Sequence, residues 1–258
     1  QVDLLMGYLE SEARLHVRQA VLGELGYLAE EAPHAWSPEN VETLVEFTRA
    51  SRHNAATTTT ALAVLSSLTA APALPRISLT PESAIVELCR ECVYDSNISV
   101  ACKALQLFTN VAIYMHEEQQ TSIVCEEAHN AALSLLQSVV STAQNDESFS
   151  VSSTLRTEQN SHTIPTIPVG LRTCLVCADL LAKTNPNIMT DLAVTLTDLL
   201  CDNSLSTGGC ALVAEALASL GGSQADVLTS HLAPIIEFIT KHAKQAPFDE
   251  DKTKLMVS

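Results

Sequence analysis

The 258-residue sequence predicts an all-α fold, a right-handed α-solenoid of about five to six HEAT- or armadillo-like helix pairs. Three observations predict it. The composition is 47% hydrophobic but only 4% aromatic, whereas strands prefer aromatic and β-branched residues. Apolar residues recur with helical rather than alternating spacing. Finally, a core pattern of alanine and leucine returns at intervals of roughly 40 residues, which is typical of helical repeat proteins.

The clearest helix start lies at Ser37-Pro38-Glu39. Ser37 is an N-cap residue, Pro38 suits the first helical position, and Glu39 is favoured near the positive end of the helix dipole. Trp36 and Val41 occupy the hydrophobic-staple positions around this cap. These signals together predict a helix from residue 38.

Other boundaries follow from breaking residues. Thr80-Pro81-Glu82 predicts a second start of the same kind, and further breaks fall at Pro33, Asp95 to Asn97, Asn185-Pro186-Asn187, Gly208-Gly209, Gly221-Gly222 and Pro247. The predicted helices are residues 2–10, 13–32, 38–50, 54–70, 81–94, 97–116, 118–143, 166–184, 187–201, 206–220 and 224–244.

The repeat is carried by core positions in successive helices. Leu25 and Leu65 are 40 residues apart, and Leu65 and Phe108 are 43 apart. A fourth equivalent lies near Ala178, and Leu217 follows it by 39 residues. Because the step from Phe108 to Ala178 is much longer than the others, we expect an insertion between these copies.

Residues 144–165 are polar and rich in serine and threonine, and they fit an exposed inserted loop. The predicted organisation is therefore HEAT-like repeats over residues 1–143, a flexible loop over 144–165 and further HEAT-like repeats over 166–246. Residues 247–258 are either an acidic tail or the start of the next repeat. The segment from Leu15 to Leu25, with Val17-Arg18 before Ala20, resembles the second helix of a HEAT unit.

The charge balance excludes one class of partner. Thirty acidic residues against 14 basic ones give a formal net charge of −16, so the chain has no basic surface of the kind that binds phosphates. We expect no direct contact with nucleic acid. The acidic surface has two interpretations, a solvated face that keeps the chain soluble or a surface for a basic partner, and charge alone does not decide between them.

We expect neither a membrane helix nor a signal peptide. The longest uncharged stretch, between Arg52 and Arg76, contains several polar residues and two prolines, and it fits an amphipathic helix better. The chain begins Gln1-Val2 without an initiator methionine or a basic, apolar leader. It is expected to be a piece of a longer protein.

The chain contains eight cysteines, but their spacing does not fit a metal site. Cys89 and Cys92 form one CxxC pair and Cys174 and Cys177 another, but 82 residues separate the pairs, and both fall inside predicted helices. A zinc site of this class needs pairs about 15–20 residues apart. We therefore expect buried free thiols, with a zinc enzyme as a weaker alternative.

No other pattern predicts catalysis. Cys125 and His129 lie one helical turn apart and could hold a metal, although an inward cysteine beside a half-exposed histidine is the commoner arrangement. The remaining cysteines, 102, 201 and 210, fit core or helix-end positions. The sequence contains no nucleophile elbow, HExxH pair or phosphate-binding glycine loop. We predict no catalytic, cofactor or metal residues and leave partner-binding residues unassigned.

Two stretches carry a more specific resemblance. The run LGYLAEEAPHAWSPENV from Leu25 to Val41, continued by LAVLSSL from Leu62 to Leu68, resembles the Integrator subunit seven family. The run LCRECVY from Leu88 to Tyr94, continued through residues 101–111, resembles the same family in the same order. The resemblance covers roughly residues 14–112, and only a generic helical pattern follows.

This resemblance implies a non-catalytic scaffold subunit of a nuclear complex. Integrator forms small nuclear RNA 3′ ends and attenuates RNA polymerase II transcription, and the resemblance to subunit seven also implies a link to DNA-damage signalling. The implied partners are other Integrator subunits, through contacts between solenoids, and indirectly RNA polymerase II. The alternative is an adaptin-like or other HEAT-repeat trafficking scaffold that binds cargo or partner subunits.

Overall fold

The computed structural model describes residues 1–12, 14–70, 79–117, 123–145, 169–185, 187–201, 207–223 and 225–245. These residues form helices joined by turns, without a strand among them, so the all-α prediction is confirmed for this part of the chain. The helices are α1 (Val2–Ser11), α2 (Leu15–Glu31), α3 (Pro38–Ala50), α4 (Ala55–Ala70), α5 (Ala84–Cys92), α6 (Ile98–Glu117), α7 (Ile123–Asn145), α8 (Val169–Leu181), α9 (Asn187–Cys201), α10 (Thr207–Ser223), α11 (Ala225–Thr229) and α12 (Leu232–Gln245).

The chain divides into two compact units. Unit 1 comprises Gln1–Leu135 with Lys183–Asn185, and unit 2 comprises Leu136–Ala182 with Pro186–Ser258. In unit 1, α1 packs on α2, α3 on α4, and α5 on α6. Successive pairs also contact each other helix by helix, since α3 packs on α1 and α5, while α4 packs on α2 and α6. Two rows of helices result, α1–α3–α5 and α2–α4–α6.

The second row contains the residues that define the sequence repeat. Leu25 in α2, Leu65 in α4 and Phe108 in α6 are all essentially inaccessible to solvent. Burial of side chains of this size stabilises the fold by about 1.5–3 kcal/mol each. The hydrophobic repeat thus coincides with the contact between consecutive pairs, because no pair covers its own apolar face completely.

Equivalent asparagines cap two helices of this row, α4 and α6. The Asn54 side-chain oxygen accepts a hydrogen bond from the Thr57 backbone N–H at 3.0 Å, and the Asn97 oxygen accepts from Ser99 N–H at 3.0 Å. These asparagines are 43 residues apart, the same step as Leu65 to Phe108. Each satisfies a backbone donor that the first helical turn leaves unpaired.

The start of α3 matches the sequence prediction. The Ser37 side chain accepts a hydrogen bond from Asn40 N–H at 3.2 Å, and Pro38 is the first helical residue. Trp36 and Val41 are both buried, as the staple pattern requires. The chain enters from α2 through a short 3₁₀ turn, Pro33–Ala35, which confirms the predicted break at Pro33.

In unit 2, α9 is the central helix and contacts α8, α10, α11 and α12. Its inward residues Leu192 and Leu196 are buried, as are the further repeat positions Ala178 in α8 and Leu217 in α10. At the end of α10, a Cβ added to Gly221 would lie 3.0 Å from Leu228 Cδ1 in α11, so glycine permits this close approach.

Several predicted boundaries are wrong in detail. The predicted breaks at Gly208-Gly209 and Gly221-Gly222 both lie inside α10, because a glycine costs a helix only about 1 kcal/mol and α10 packs on α9. The predicted helix 166–184 ends at Leu181, where a turn over 182–184 begins.

The predicted helix 81–94 begins only at Ala84, because residues 81–83 form a turn, and it ends at Cys92. The predicted helix 224–244 is interrupted at Ser230 and His231. Pro234 explains this interruption, because a proline ring collides with the carbonyl four residues earlier in a continuous helix, here that of Ser230. Pro234 instead lies in the first turn of α12.

One described helix, Ile98–His116 within α6, has the length and apolar composition of a membrane span. About 61% of it is buried inside the protein, where it packs against α4 and α5. A central core helix explains its composition. Residues 146–165 of the predicted loop, and the predicted tail 247–258, lie outside the described residues, while α7 continues to Asn145.

Candidate interaction surface

The two CxxC pairs lie in the hydrophobic interior of their units. Cys89 and Cys92 are buried on α5, and Cys174 and Cys177 are buried on α8. Burial raises the pKa of the Cys89 thiol well above its ordinary value of 9.0, and Cys92 adds to the rise. Burial likewise raises the pKa of Cys92. Because the thiolate is the nucleophile and the metal ligand, these protonated thiols are poorly suited to either chemistry.

The position of His129 differs from the sequence expectation. We expected it to be half-exposed, but its side chain is only 8% exposed in α7. Cys125, one turn earlier, does face inward, and its thiol lies 3.4 Å from the Ala112 carbonyl oxygen in α6. Within the described ranges, no three His, Cys, Asp or Glu side chains converge in a way that could hold a metal ion.

Polar contacts instead follow the row that begins α1–α3–α5. The Arg49 guanidinium in α3 lies 3.3 Å from Glu91 and 3.8 Å from Glu87, both in α5. Arg52, in the turn after α3, pairs with Glu91 at 3.2 Å. Arginine is suited to this position because its planar guanidinium presents several donors to more than one carboxylate.

The next step of this row repeats the arrangement. Arg90 Nε in α5 donates to Glu127 Oε2 in α7 at 2.9 Å, and Arg90 Nη1 donates to the Pro81 carbonyl at 2.8 Å. Arginines therefore neutralise acidic side chains between α3 and α5 and between α5 and α7. This set of contacts, Arg49 and Arg52 with Glu87 and Glu91 and Arg90 with Glu127, is called the arginine ladder below.

The first step of the same row lacks an arginine. Between α1 and α3 the uncharged Asn40 side chain takes the place of an arginine, and its amide donates a hydrogen bond to the Asp3 carboxylate at 2.9 Å. The contacts between helices of the second row are also hydrogen bonds in which at most one partner is charged. The Asn110 amide donates to the Ser66 carbonyl at 3.1 Å, and the Ser67 hydroxyl donates to Glu30 at 3.2 Å.

An open groove of about 780 Å³ lies beside this first step. Its lining includes Glu10 from α1, Arg18 from α2 and, from α3, Glu39, Glu42, Glu46 and Phe47. The lining is acidic, with four glutamates against one arginine. The Arg18 guanidinium lies over the Phe47 ring, 5.6 Å from its centroid, a cation–π distance. We call this region the acidic groove.

A second exposed feature belongs to unit 2. Leu232, Ile236 and Ile239 on α12 are 47%, 58% and 40% exposed. Their spacing of four and three residues places them on one face of the helix. These three side chains form an exposed apolar ridge along α12.

The comparisons with known proteins decide the family. The family model described as "Integrator complex subunit 7, N-terminal" matches residues 1–258. The chain belongs to this family. The family match covers residues 1–258, whereas the sequence resemblance to the Integrator subunit 7 family covers roughly residues 14–112.

Named relatives agree with this assignment. Integrator complex subunit 7 of Homo sapiens is 27% identical over 169 residues, which are 62% of this chain and 17% of the human protein. The Danio rerio protein of the same name is 26% identical over 170 residues, with the same shares. The Gallus gallus protein is 30% identical over 127 residues, 46% of this chain and 13% of that protein. The chain thus spans about a sixth of the curated relatives it matches.

The arginine ladder and the acidic groove were missed in the sequence. A usable signal exists for the ladder, because Arg49 and Glu87, Arg52 and Glu91, and Arg90 and Glu127 are oppositely charged residues 37 to 39 positions apart. A search for opposite charges one repeat apart would have found these pairs. The acidic groove has no such signal in the sequence, because it arises where no arginine–carboxylate pair joins α1 and α3.

Proposed function

We propose that this chain is a non-catalytic scaffold segment of a nuclear Integrator complex. The observation that carries the proposal is the family match over the whole chain. Through that complex the chain would support small nuclear RNA 3′-end formation and attenuation of RNA polymerase II transcription. Its direct partners would be other Integrator subunits, with RNA polymerase II contacted indirectly. The trafficking alternative is not favoured by the family match.

The finer fold proposal is a right-handed HEAT- or armadillo-like solenoid of about five to six helix pairs. The pairwise contacts of α1 to α6 and the buried repeat positions support it. We also propose the organisation of repeats over residues 1–143 and 166–246 around an inserted loop. A solenoid exposes both of its rows along its length, which gives a large surface for several partners.

A scaffold role also agrees with the chemistry of the buried groups. The thiols of Cys89 and Cys92 are enclosed in the core, and burial raises the pKa of both. Between α3 and α5 and between α5 and α7, charged side chains of the first row form ion pairs with the neighbouring helix. These features support packing and partner contact as the work of the chain.

The test is quantitative affinity purification of the tagged full-length protein from nuclear extract. A variant that lacks residues 1–258 is the comparison. We expect the full-length protein to recover other Integrator subunits and the variant to lose a subset of them. Failure of the full-length protein to recover any subunit would overturn the assignment. Equal recovery by both proteins would show that this segment contacts no partner.

A further inference from the structure

We propose that the acidic groove binds an extended basic segment of a partner protein, in which arginine or lysine side chains alternate with other residues. This inference deepens the scaffold function proposed above and rests on it. The proposed binding surface lies between α1, α2 and α3, and the proposed partner is a basic segment in an extended conformation.

The first argument is a break in the arginine ladder. At the α3–α5 and α5–α7 steps, carboxylates on one helix are neutralised by an arginine from the preceding part of the chain. At the α1–α3 step, Asn40 meets Asp3, and no arginine reaches the groove carboxylates from α1. Among the described residues, Glu10 and Glu42 have no ion-pair partner. A cation from another chain would complete the pattern.

The second argument is the spacing of the carboxylates. Glu39, Glu42 and Glu46 are three and four residues apart on α3, so they share one face. A rise of 1.5 Å per residue places them roughly 4.5 and 6 Å apart along the helix axis. Alternate side chains of an extended peptide are separated by roughly 6.6 Å. Long, flexible basic side chains on one face of such a peptide can therefore meet successive carboxylates.

The third argument is the aromatic side chain of the groove. Phe47 is half-buried in the lining, and Arg18 already lies over its ring. Arg18 Nε is shielded from solvent without a hydrogen-bond partner, so this guanidinium is held by the ring rather than by the groove glutamates. Glu46 already pairs with Arg49 at 2.7 Å. The groove carboxylates that stay available to an incoming cation are therefore those of Glu10, Glu39 and Glu42, and the ring adds apolar contact for the methylene groups of that cation.

The open shape and the side chains of the acidic groove fit a peptide better than a metal ion or a small molecule. No metal-binding group of three side chains occurs in the parts of the chain that the structure describes. Small-molecule sites enclose most of their ligand, whereas this groove is open and its glutamates are exposed. An extended chain lying along α3 satisfies the same carboxylates without being enclosed.

The test uses fluorescence polarisation with the 258-residue chain and a labelled peptide in which arginine alternates with serine. The same peptide with glutamine in place of arginine is the control probe. Two matched double variants are compared, E10Q/E42Q in the groove and E24Q/E31Q on exposed positions of α2 outside it. Both remove the same charge from exposed side chains, and circular dichroism checks that both remain folded.

We expect E10Q/E42Q to weaken binding of the arginine probe about fivefold, as the loss of two exposed ion pairs implies. E24Q/E31Q should bind like the unmodified chain. Equal weakening by both variants would overturn the proposal, because it would show only general attraction to an acidic protein. Unchanged binding in E10Q/E42Q, or equal binding of the glutamine probe, would overturn it too. None of these outcomes alters the affinity-purification test of the scaffold function.

Discussion

Arg90 makes one contact within the turn and helix where it lies and another with a neighbouring helix. Its Nε donates to Glu127 Oε2 in α7 at 2.9 Å, and its Nη1 donates to the Pro81 carbonyl at 2.8 Å. The first contact joins neighbouring helices of one row. The second fixes the turn that precedes α5, the helix on which Arg90 itself lies. One side chain thus links the start of a helix to the stacking of the next.

The Arg90 contacts predict unequal effects of substitution. Arg90→Ala should lower the free energy of unfolding by about 1–2 kcal/mol, because it removes a half-buried ion pair and a charged hydrogen bond to a carbonyl. Glu127→Gln should cost only about 0.5 kcal/mol. Arg90→Lys keeps the charge but cannot make both contacts, so it should restore less than half of the loss. Urea denaturation of the three variants measures this, and equal losses for Arg90→Ala and Glu127→Gln would contradict the dual role.

The buried repeat position in α2 offers a matched pair of leucines. Leu25 is fully buried, whereas Leu15 on the same helix is 44% exposed. Leu25→Ala should destabilise the chain by about 2–5 kcal/mol, because it removes buried apolar contacts and leaves a cavity. Leu15→Ala should change stability by less than about 0.5 kcal/mol. Similar losses in chemical denaturation would show that α2 does not pack as described.

The asparagine caps predict a repeated effect. Asn54→Ala and Asn97→Ala should each cost about 1 kcal/mol, because each removes the acceptor for first-turn backbone N–H groups. Asn97→Asp keeps an acceptor and should retain most of the stability. Thermal unfolding followed by circular dichroism measures the effect. An alanine variant as stable as the aspartate variant would rule out capping at that position.

Two glycines should respond in opposite ways to alanine. Gly23 is exposed within α2 and has no atom within 4 Å of the added Cβ, so Gly23→Ala should stabilise the chain by about 0.5–1 kcal/mol. At Gly221 the added Cβ would meet Leu228 Cδ1 at 3.0 Å, and this crowding should cancel the gain. Comparable stabilisation of both variants in urea would contradict the close approach of α10 and α11.

The buried thiol of Cys89 predicts a pH dependence. Burial raises the pKa of this thiol above its ordinary value, so the folded protein retains a proton that the unfolded chain loses. The stabilisation is complete below the ordinary thiol pKa of 9.0 and is lost as the pH rises from there toward the folded pKa. Unfolding measured between about pH 8 and pH 10 should therefore show a smaller fall for Cys89→Ala than for the unmodified chain. An equal fall would contradict the burial of this thiol.

The sequence predicted the helical class because its apolar periodicity and its capping residues are local signals. Ser37 caps α3 as expected, and the steps between Leu25, Leu65 and Phe108 coincide with the packed row of helices. The interruption before α12 had a local signal too. Pro234 excludes a continuous helix through Ser230, so the sequence itself argues against one helix over residues 224–244.

The candidate surface was less predictable, because its contacts join residues almost one repeat apart. Nothing local distinguishes Glu127, which pairs with Arg90, from the adjacent Glu126 until the orientation of α7 is known. His129 was placed near the surface for the same reason, although it is buried. The acidic groove depends on which step of the row lacks an arginine, so the rows must be assigned before the groove can be recognised.

Cross-linking mass spectrometry of the intact complex, with a reagent that joins carboxylates, tests the scaffold proposal most directly. The glutamates on α3, α5 and α7 supply reactive groups along one row, and links within the chain provide the internal control. The scaffold proposal predicts links from this row to other Integrator subunits, including links from Glu39 or Glu42. Abundant links within the chain, without any to another subunit, would contradict it.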